Sequence, residues 1–276
     1  MKNFGGILRY GIPDFRLDKD ILDKTIQAIL SLGIKVECNK ELGRNLSLDD
    51  LQKEYDAVFL GFGANIPSKM NIEGEDLDGV YGGNSLLETG KHPSYKGKKV
   101  AVVGGGNVAM DCSRTIKRLG ADNVYVIYRR AEKQMPAEAK EIEDAKKEGV
   151  EFLFQNNIVK ILGKDKVEKI ECIKTKLIKK EGETREVPVN IENSNYIMDM
   201  DIVVMAVGSS PEKKLLEKLG LELNKWGYIN VDENCMTSKE NVYAGGDISG
   251  SKATVAWAAR TGRDAAYKMI ENLKAD

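Results

Sequence analysis

A glycine-rich run near the middle of the sequence has the residue types and spacing that bind a phosphate-bearing nucleotide. The run has the pattern G-x-G-x-x-A and consists of Gly104, Gly105, Gly106, Asn107, Val108 and Ala109. The β-branched stretch Val100–Val103 before it predicts a strand buried on both faces of a parallel sheet. Helix-forming residues follow the run and stop at Gly120, which suits the left-handed position after a helix. This order is typical of a dinucleotide-binding βαβ unit.

Each small residue of the run has a physical task. Gly104 permits the sharp turn after the strand, and Gly106 lacks the Cβ atom that would keep the backbone away from a pyrophosphate. Ala109 lets the helix pack closely on the sheet. Asn107 and Val108 open the helix, whose free N–H groups and positive dipole end attract phosphate. The run therefore predicts a pyrophosphate subsite.

Two arginines stand where the second strand of the unit ends. The apolar run Val124–Tyr128 predicts this strand, and Arg129 and Arg130 follow it. NAD-specific folds place an Asp or Glu here to accept from the ribose 2′-hydroxyl, whereas arginine suits a 2′-phosphate. Arginine binds phosphate with two hydrogen bonds and stays charged, so the pair predicts a preference for NADP(H). The alternative interpretation is a solvated basic pair before a charged loop.

The flanking segments predict the elements that position these residues. In the helix after the glycine run, Ala109, Cys112, Ile116 and Leu119 share one face. The elements predicted after Arg130 are the helix Ala137–Lys147, the strand Val150–Gln155, a β-meander over Ile158–Ile161, Lys166–Lys174 and Arg185–Val189, and the strand Met200–Val207. Gly208 breaks this last strand and is a further candidate for cofactor binding. The NADP(H)-binding domain is therefore expected to cover residues 97–206.

The residues before the glycine run predict part of another parallel α/β sheet. Asp20–Leu32 has helical spacing of its apolar residues, which are Ile21, Leu22, Ile26, Ile29 and Leu30. Ile34–Glu37 and Asp56–Leu60 have the composition of strands, and Ser47 can cap a short helix between them. Residues 67–98 are rich in glycine and are expected to form loops.

A second candidate site lies in the last part of the sequence. The predicted strand Val242–Ala244 leads into Gly245, Gly246 and Asp247, and a helix is predicted over Ala253–Leu273. The expected inner face of this helix consists of Val255, Ala259, Gly262, Ala266, Ile270 and Leu273. Small residues on that face allow close approach to a sheet. Asp247 has a second interpretation, because Asp often caps a turn.

Composition and charge exclude several classes of function. The 276 residues are 42% hydrophobic, enough for a sizeable core, and 42 basic against 43 acidic residues leave a net charge of −1. No field of one sign is available to recruit nucleic acid or an anionic membrane. No apolar run approaches the ~20 residues of a membrane span, and no signal-peptide core follows the first residues. We expect a cytoplasmic protein.

The sulfur and imidazole side chains predict neither a metal centre nor a redox disulfide. Cys38, Cys112, Cys172 and Cys235 are too widely spaced for an iron–sulfur or zinc site, or for the Cys-x-x-Cys pair of a disulfide reductase. We expect these cysteines to be buried, small apolar side chains. The single histidine, His92, lies in a linker-like run. No side chain is therefore predicted to be catalytic.

Four motifs together resemble the small (beta) subunit of NADPH-dependent glutamate synthase. They are Gly5–Phe15 (GGILRYGIPDF), Val102–Asp111 (VVGGGNVAMD), Tyr128-Arg129-Arg130 with Met135-Pro136-Ala137, and Ala244–Asp247 (AGGD). The resemblance runs from about Gly5 to the C-terminus. The flavin subunit of ferredoxin:NADP transhydrogenases and the N-terminal part of dihydropyrimidine dehydrogenase share much of this pattern.

The resemblance implies an α/β protein with two Rossmann-like domains, in which NADPH passes hydride to FAD and electrons leave through iron–sulfur clusters. It implies that Asp247, next to Gly246, holds the FAD ribityl chain and that the backbone of Thr254 and Val255 lies at the flavin pyrimidine edge. A helix N-terminus at that edge would stabilise the negative charge of a reduced flavin. Hydride transfer depends on the stacking of two rings more than on an acid or a base.

The sequence departs from the family at its beginning. Family members carry a cysteine-rich iron–sulfur region and a first FAD-binding βαβ unit ahead of the Gly5 motif, and this sequence begins after both. We therefore expect a discontinuous, incomplete flavin domain over residues 1–96 and 207–276, with weak or absent FAD binding and with the iron–sulfur clusters outside this chain. Expected partners are a second copy of the chain or the missing N-terminal half, and a glutamate synthase large subunit or another redox partner.

The motifs leave the function open between related alternatives. One is the NADPH-oxidising module of a flavin-dependent electron-transfer enzyme. Another is an NADP(H)-binding chain with no turnover of its own, and a third is the flavin subunit of a transhydrogenase. A flavin absorbance spectrum separates the first from the second.

Overall fold

The structure is a computed structural model that describes residues 4–179 and 186–275. Its helices are α1 (Ile7–Tyr10), α2 (Lys19–Leu30), α3 (Leu48–Glu54), α4 (Gly83–Thr89), α5 (Asn107–Arg118), α6 (Ala139–Lys147), α7 (Lys213–Lys218) and α8 (Val255–Ala275). Its strands are β1 (Val58–Leu60), β2 (Ile66–Pro67), β3 (Val80–Gly82), β4 (Lys99–Val103), β5 (Asn123–Tyr128), β6 (Glu151–Phe154), β7 (Asn156–Leu162), β8 (Lys169–Ile178), β9 (Val187–Asn190), β10 (Tyr196–Asp199), β11 (Ile202–Met205), β12 (Ser209–Ser210) and β13 (Val242–Ala244). Short 3-10 turns lie at Glu132–Gln134 and Gly246–Ser249.

The chain divides into two compact units. Unit 1 contains Lys35–Ile66 and the described residues from Ser209 onward, and unit 2 contains those up to Ile34 together with Pro67–Gly208. Both tryptophans of the sequence, Trp226 and Trp257, lie in unit 1. The sequence predicts a boundary at residue 97, but residues 67–98 lie in unit 2 because β3 pairs in parallel with β11.

A parallel sheet in the order β3-β11-β4-β5-β6 forms the centre of unit 2. In its middle strand β4, Val100 and Val102 join the core on one face, and Ala101 and Val103 join the core on the other. Such a strand has a continuous apolar sequence because neighbouring layers cover both faces of the sheet. The strands predicted over Val100–Val103 and Val124–Tyr128 are therefore confirmed as β4 and β5.

Different layers cover the two faces of this sheet. Helices α4, α5 and α6 pack on one face, where Leu86 and Ile116 enter the core. The antiparallel strands β7 to β10 pack on the other face, where Ile158 and Ile170 enter the core. Because β7, β8 and β9 pair in succession, the predicted β-meander is present. Arg185, at the start of its third predicted strand, lies outside the described residues.

Unit 1 has a smaller sheet and its own core. Strands β1 and β13 pair in parallel, with Val58 opposite Val242. The core is formed by Leu48, Leu60, Leu216, Leu219, Leu221, Ile229, Val242, Ala244 and Ile248. Ser47 caps α3, as predicted, because its side chain accepts from the N–H of Asp50 at 3.4 Å. A parallel pair of this size is incompletely covered, and Phe59 in β1 is 38% exposed.

Three segments before the glycine run differ from their predictions. Ile34–Glu37 is exposed coil, because no strand in the described part of the chain pairs with it. Residues 67–98, predicted as loops, contain β3 and α4. Helix α2 forms close to its predicted position, but of its apolar residues Leu22 is buried whereas Ile21 and Ile29 are 60% and 49% exposed.

The predicted inner face of α8 is wrong. Ala265 is fully buried, Thr261 accepts from the N–H of Gly246 at 2.8 Å, and Asn272 donates to Tyr243 Oη at 2.7 Å. These three residues stand one position before Ala266, Gly262 and Leu273 of the prediction, a rotation of about 100°. Val255, Ile270 and Leu273 are 50%, 49% and 44% exposed. Although α8 has 21 residues, neither it nor any other described helix is apolar enough to cross a membrane.

Helix α5 agrees with its prediction except at its end. Ala109, Cys112 and Ile116 are buried, and Gly120 has φ 91°, the left-handed conformation expected after a helix. Leu119, predicted on the same inner face, is 50% exposed. It follows the last helical residue, so it no longer continues the buried face.

Candidate nucleotide-binding site

The glycine run forms the turn between β4 and α5. Gly104 has φ 139°, and its N–H donates to the carbonyl of Ile127 at 3.0 Å. A Cβ atom on Gly104 would collide with the carbonyl oxygen of Ala206, so this position requires glycine. A Cβ atom on Gly106 would instead have Pro136 Cγ, 4.0 Å away, as its nearest neighbour. The backbone is therefore open at Gly106, where the sequence predicts approach to a pyrophosphate.

The turn lies at the point of the sheet that favours a ligand. From β4 the chain continues through β5 and β6 on one side, whereas β11 and β3 lie on the other. In open α/β sheets, ligands bind outside the carboxyl ends of the strands where this reversal occurs. Gly104 ends β4 at this edge, and Gly208, with φ 114°, follows β11 there. The structure thus brings these two predicted residues to one edge of the sheet.

The N-terminus of α5 faces the same edge. Its N-cap is Gly106, which has no side chain to accept from the first N–H groups of Asn107 and Val108. Those groups and the positive end of the helix dipole are available to an anion. Ala109 is fully buried, as close packing of the helix requires. The Asn107 Oδ1 atom accepts from the N–H of Glu138 at 3.0 Å.

Arg129 and Arg130 follow β5 at the same edge. Thr175 Oγ1 donates to the carbonyl of Arg129 at 2.8 Å, and the N–H of Gln155 donates to the carbonyl of Arg130 at 3.0 Å. Arg129 is exposed and Arg130 half-buried, and within the described ranges neither guanidinium forms an ion pair or a hydrogen bond. Fixed backbones with two unpaired cations suit an anionic group of a ligand.

The second candidate site lies in unit 1, where the structure brings Gly246 and Asp247 to the end of β13. Gly246 has φ 72°. Asp247 is half-buried, burial raises the pKa of its carboxyl, and the carboxylate accepts no hydrogen bond from any described residue. The turn is closed by the backbone carbonyl of Asp247, which accepts from the N–H of Gly250 at 3.2 Å, so the carboxylate does not cap it. A half-buried carboxylate without a donor suits a ligand that carries hydroxyl groups.

Thr254 and Val255 lie at the start of α8 in the same unit. Thr254 Oγ1 accepts from the N–H of Trp257 at 3.3 Å, so Thr254 caps the helix. Its own N–H donates to the carbonyl of Lys252 at 2.7 Å. Of the predicted pair, the N–H of Val255 is the one that donates to no described residue. The Trp257 ring lies beneath Lys252 Nζ and Arg260 Cζ, 4.7 Å and 4.9 Å from the ring centroid.

The cysteines and the histidine form no redox or metal site in the described chain. The cysteines are free, and no group of three or more His, Cys, Asp or Glu among the described residues is placed to hold a metal ion. Cys112 and Cys172 are buried and Cys235 is half-buried, but Cys38 is exposed, contrary to prediction, because it follows the coil at Ile34–Glu37. His92 Nδ1 lies 2.9 Å from Tyr95 Oη, and burial lowers the pKa of the imidazole.

Two neighbours of the glycine run, Tyr128 and the segment Met135-Pro136-Ala137, were not predicted to contact it. A Cβ atom on Gly105 would lie 2.5 Å from the ring of Tyr128, so Gly105 is also required to be glycine. The segment Met135-Pro136-Ala137 lies against the run, because the N–H of Ala137 donates to the carbonyl of Gly105 at 3.2 Å. The available signal was the joint presence of this segment and Tyr128-Arg129-Arg130 in one motif.

Comparison with known proteins agrees with this geometry. The family model of the pyridine nucleotide-disulphide oxidoreductases matches residues 16–262. The chain is 39% identical over 277 residues to the NADP(+)-dependent formate dehydrogenase subunit beta of Moorella thermoacetica, covering 98% of this chain and 39% of that protein. It is 37% identical over 290 residues to the glutamate synthase [NADPH] small chain of Escherichia coli K12, covering 98% of this chain and 61% of that protein. The chain thus spans less than two thirds of either relative.

A solved structure shows the same fold. The structure of FprA from Mycobacterium tuberculosis in complex with NADPH has a TM-score of 0.81 at 20% identity, and the match covers 98% of this chain and 75% of that chain. This similarity confirms the predicted α/β fold with two dinucleotide-binding domains. The similarity to glutamate synthase small chains likewise confirms the resemblance drawn from the four motifs.

Proposed function

The chain belongs to the pyridine nucleotide-disulphide oxidoreductase family, and from this membership we propose that it is the NADPH-oxidising module of a flavin-dependent electron-transfer enzyme. The observation that carries the proposal is that the open backbone at Gly106 and the guanidinium groups of Arg129 and Arg130, unpaired among the described residues, lie at the same edge of the sheet. The first suits a pyrophosphate, and the second suits the 2′-phosphate that distinguishes NADPH from NADH.

Unit 2 is proposed to bind and orient the coenzyme. The N–H groups of Asn107 and Val108 would hold the pyrophosphate, and Gly208 would let the chain pass close to the coenzyme at the end of β11. The residues supply no acid or base, because hydride transfer needs the donor and acceptor rings in register. The work of this unit is therefore binding and alignment.

Unit 1 fits the flavin and ribityl half of FAD. The Asp247 carboxylate has no donor among the described residues and would accept from a ribityl hydroxyl, and the N–H of Val255 would face the polar edge of the ring. Gly246 lets the backbone approach closely. A bound flavin would supply the acceptor for the hydride of NADPH.

A partner chain is proposed as the destination of the electrons. The names of two relatives assign them to larger enzymes, as the small chain of a glutamate synthase and as the beta subunit of a formate dehydrogenase. By analogy, this chain would pass electrons from flavin to a redox partner, for which a glutamate synthase large subunit is one candidate. The iron–sulfur clusters of that route are proposed to lie outside this chain.

A second candidate function is NADP(H) binding without turnover. The observation that favours it is the parallel pair β1 and β13 in unit 1, which leaves Phe59 exposed. A flavin site built on so small a sheet would hold FAD weakly or not at all.

One purified sample tests both functions. We expect calorimetric titration to show that NADPH binds ten- to a hundredfold more tightly than NADH, and equal binding would contradict the NADP(H) assignment. Visible absorbance then separates the candidates. A flavin spectrum supports the electron-transfer module, and a colourless protein that binds NADPH supports the binding function.

A further inference from the structure

The loop between β5 and α6 lies directly against the glycine run. This loop, residues 131–138, contains the 3-10 turn Glu132–Gln134. The N–H of Ala137 donates to the carbonyl of Gly105 at 3.2 Å, and Tyr128 Oη donates to the carbonyl of Gln134 at 2.8 Å. Pro136 is the residue that a Cβ atom on Gly106 would approach first. The loop therefore borders the open side of the turn.

Asn107 connects the glycine turn to the end of the loop. Its Oδ1 atom accepts from the N–H of Glu138 at 3.0 Å, and Glu138 is the N-cap residue of α6. The Glu138 side chain forms no capping hydrogen bond, so the link to Asn107 holds the start of α6. The Nδ2 group of Asn107 donates to no described residue. The Asn107 side chain thus accepts from the loop through Oδ1, and its Nδ2 group remains available as a donor at the N-terminus of α5.

We propose that Asn107 is a positioning residue that fastens loop 131–138 to the glycine turn, and that this loop is the wall against which the adenosine half of the coenzyme packs. The inference rests on the proposed NADP(H) function and refines it. The loop begins directly after Arg130, so it adjoins the predicted 2′-phosphate site. Half-buried Met135 and exposed Pro136 give it the apolar surface that an adenine ring contacts.

The link makes loop order and phosphate binding depend on each other. When a phosphate accepts from Nδ2, the orientation of the amide is fixed and Oδ1 remains directed at the N–H of Glu138. Conversely, an ordered loop holds the amide ready for the phosphate. Thermodynamic linkage requires the two effects to be equal in size. Loss of the hydrogen bond between Asn107 and Glu138 should weaken binding of the adenosine half of any coenzyme, whether its nicotinamide is oxidised or reduced.

The test uses 2′,5′-ADP, which carries both phosphates of the adenosine half and no nicotinamide. We expect Asn107→Ala to weaken the binding of 2′,5′-ADP and of NADPH by the same factor, roughly tenfold. In the protein without nucleotide, we expect faster amide hydrogen exchange in residues 131–138. Thr115→Ala is the matched control on the same helix, because Thr115 Oγ1 is buried with no hydrogen-bond partner in the described structure. It should leave both measurements unchanged.

Asn107→Asp separates the two atoms of the amide. It keeps an acceptor for the N–H of Glu138 but places a negative charge near the phosphates, so exchange in the loop should return to the wild-type rate while binding stays weak. Unchanged exchange in Asn107→Ala would overturn the proposal and leave Asn107 as a simple phosphate ligand. A wild-type protein that binds neither 2′,5′-ADP nor NADPH would contradict the proposed function. The exchange measurement, made without nucleotide, would still decide whether Asn107 holds the loop.

Discussion

At the scale of the residue, the choice of coenzyme depends on two arginine side chains. We expect the double variant Arg129→Ala/Arg130→Ala to bind NADPH ten- to a hundredfold more weakly, because a hydrogen bond to a charged group contributes about 1.5–3 kcal/mol. Isothermal titration calorimetry measures the change. NADH is the internal control, because it lacks the 2′-phosphate. An equal loss of affinity for NADH would show that the arginines act elsewhere.

Two glycines of one turn should respond to substitution in opposite ways. Gly106→Val should abolish NADP(H) binding, because the side chain would occupy the space of the pyrophosphate. The fold should persist, since Gly106 has φ −92° and open space around it, and the change of N-cap residue costs about 1 kcal/mol. Circular dichroism and calorimetry on the same sample check both statements.

The comparison variant at this turn is Gly104→Ala. Gly104 has φ 139°, and an added Cβ would collide with the carbonyl of Ala206, so we expect this smaller change to lower the thermal midpoint of unfolding. If Gly106→Val binds NADPH normally, the pyrophosphate subsite has been assigned to the wrong backbone.

At the scale of the element, a charged cluster holds α5 in place within unit 2. Arg16 donates to both carboxylate oxygens of Asp111, at 3.0 Å and 2.9 Å. Arg114 pairs with Glu141 and also donates to Glu148 at 2.8 Å. Buried ion pairs add little net stability, but these tie α5 to Arg16 and to α6. Because α5 begins at the glycine turn, this cluster orients the predicted phosphate site.

The cluster should give unfolding an unusual dependence on pH. Burial, opposed by Arg16, raises the pKa of Asp111 to about 6. The folded state therefore binds a proton more tightly than the unfolded state between about pH 6 and pH 4, and the contribution of Asp111 to stability increases as pH falls through this range. In urea titrations followed by circular dichroism, the midpoint of wild type relative to Asp111→Asn should rise from pH 7 to pH 4.

Glu148 in the same cluster provides the control. Burial would raise its pKa, but hydrogen bonds from Arg118 and Arg114 outweigh burial and lower that pKa to about 2. Its contribution is present above about pH 4.5 and is lost as pH falls towards 2. The difference between wild type and Glu148→Gln should therefore stay constant from pH 7 to pH 5. A difference that drifts in this range would indicate that the cluster rearranges with pH.

The elements predicted correctly are those whose signals are local. Val100–Val103 and the glycine run stand together in the sequence, and burial on both faces makes the strand apolar throughout. Strand β3 was missed because its partner β11 lies far away in the sequence. Ile34–Glu37 has the composition of a strand but no partner in the described chain. Composition indicates that a segment can form a strand, but the segment forms one only where another strand pairs with it.

The placement of the candidate site residues was predicted only where it follows directly from the βαβ topology. Gly104, Gly106 and the two arginines follow strands, so their common edge follows from the βαβ topology. The approach of Pro136 to Gly106 depends on how a loop folds back, and no spacing rule gives it. The face of α8 was misplaced because small or apolar residues occur on both of its sides. The tertiary contacts of α8 determine which face is buried, and the periodicity of its sequence does not.

At the scale of the whole molecule, each unit carries an exposed apolar helix face. In α2 and the turn after it, Ile21, Ile29 and Leu32 are 60%, 49% and 80% exposed. In α8, Tyr267, Ile270 and Leu273 are 60%, 49% and 44% exposed. An exposed apolar face of this kind is a candidate for contact with another chain.

We therefore expect the purified chain to associate with itself. Light scattering coupled to size-exclusion chromatography should give a mass above that of one chain at micromolar concentration. Ile29→Lys/Leu32→Lys should lower this mass, whereas Lys24→Glu on the same helix should not, because it removes no apolar surface. A wild-type protein that elutes as a monomer with one FAD would contradict both this expectation and the expected weakness of FAD binding.

The placement of both tryptophans in unit 1 gives that unit an optical signal of its own. Trp226 is 67% exposed and Trp257 contacts the side chains of Lys252 and Arg260, so tryptophan emission follows unit 1. Unit 2 lacks tryptophan, and far-ultraviolet dichroism reports the helices and strands of both units. Denaturation curves from the two signals coincide if the units unfold together and separate if they do not. If the units melt independently, added NADPH, whose proposed site is in unit 2, would shift only part of the dichroism curve and leave the emission curve in place. Tryptophan fluorescence can thus report whether a coenzyme bound to unit 2 changes the stability of unit 1.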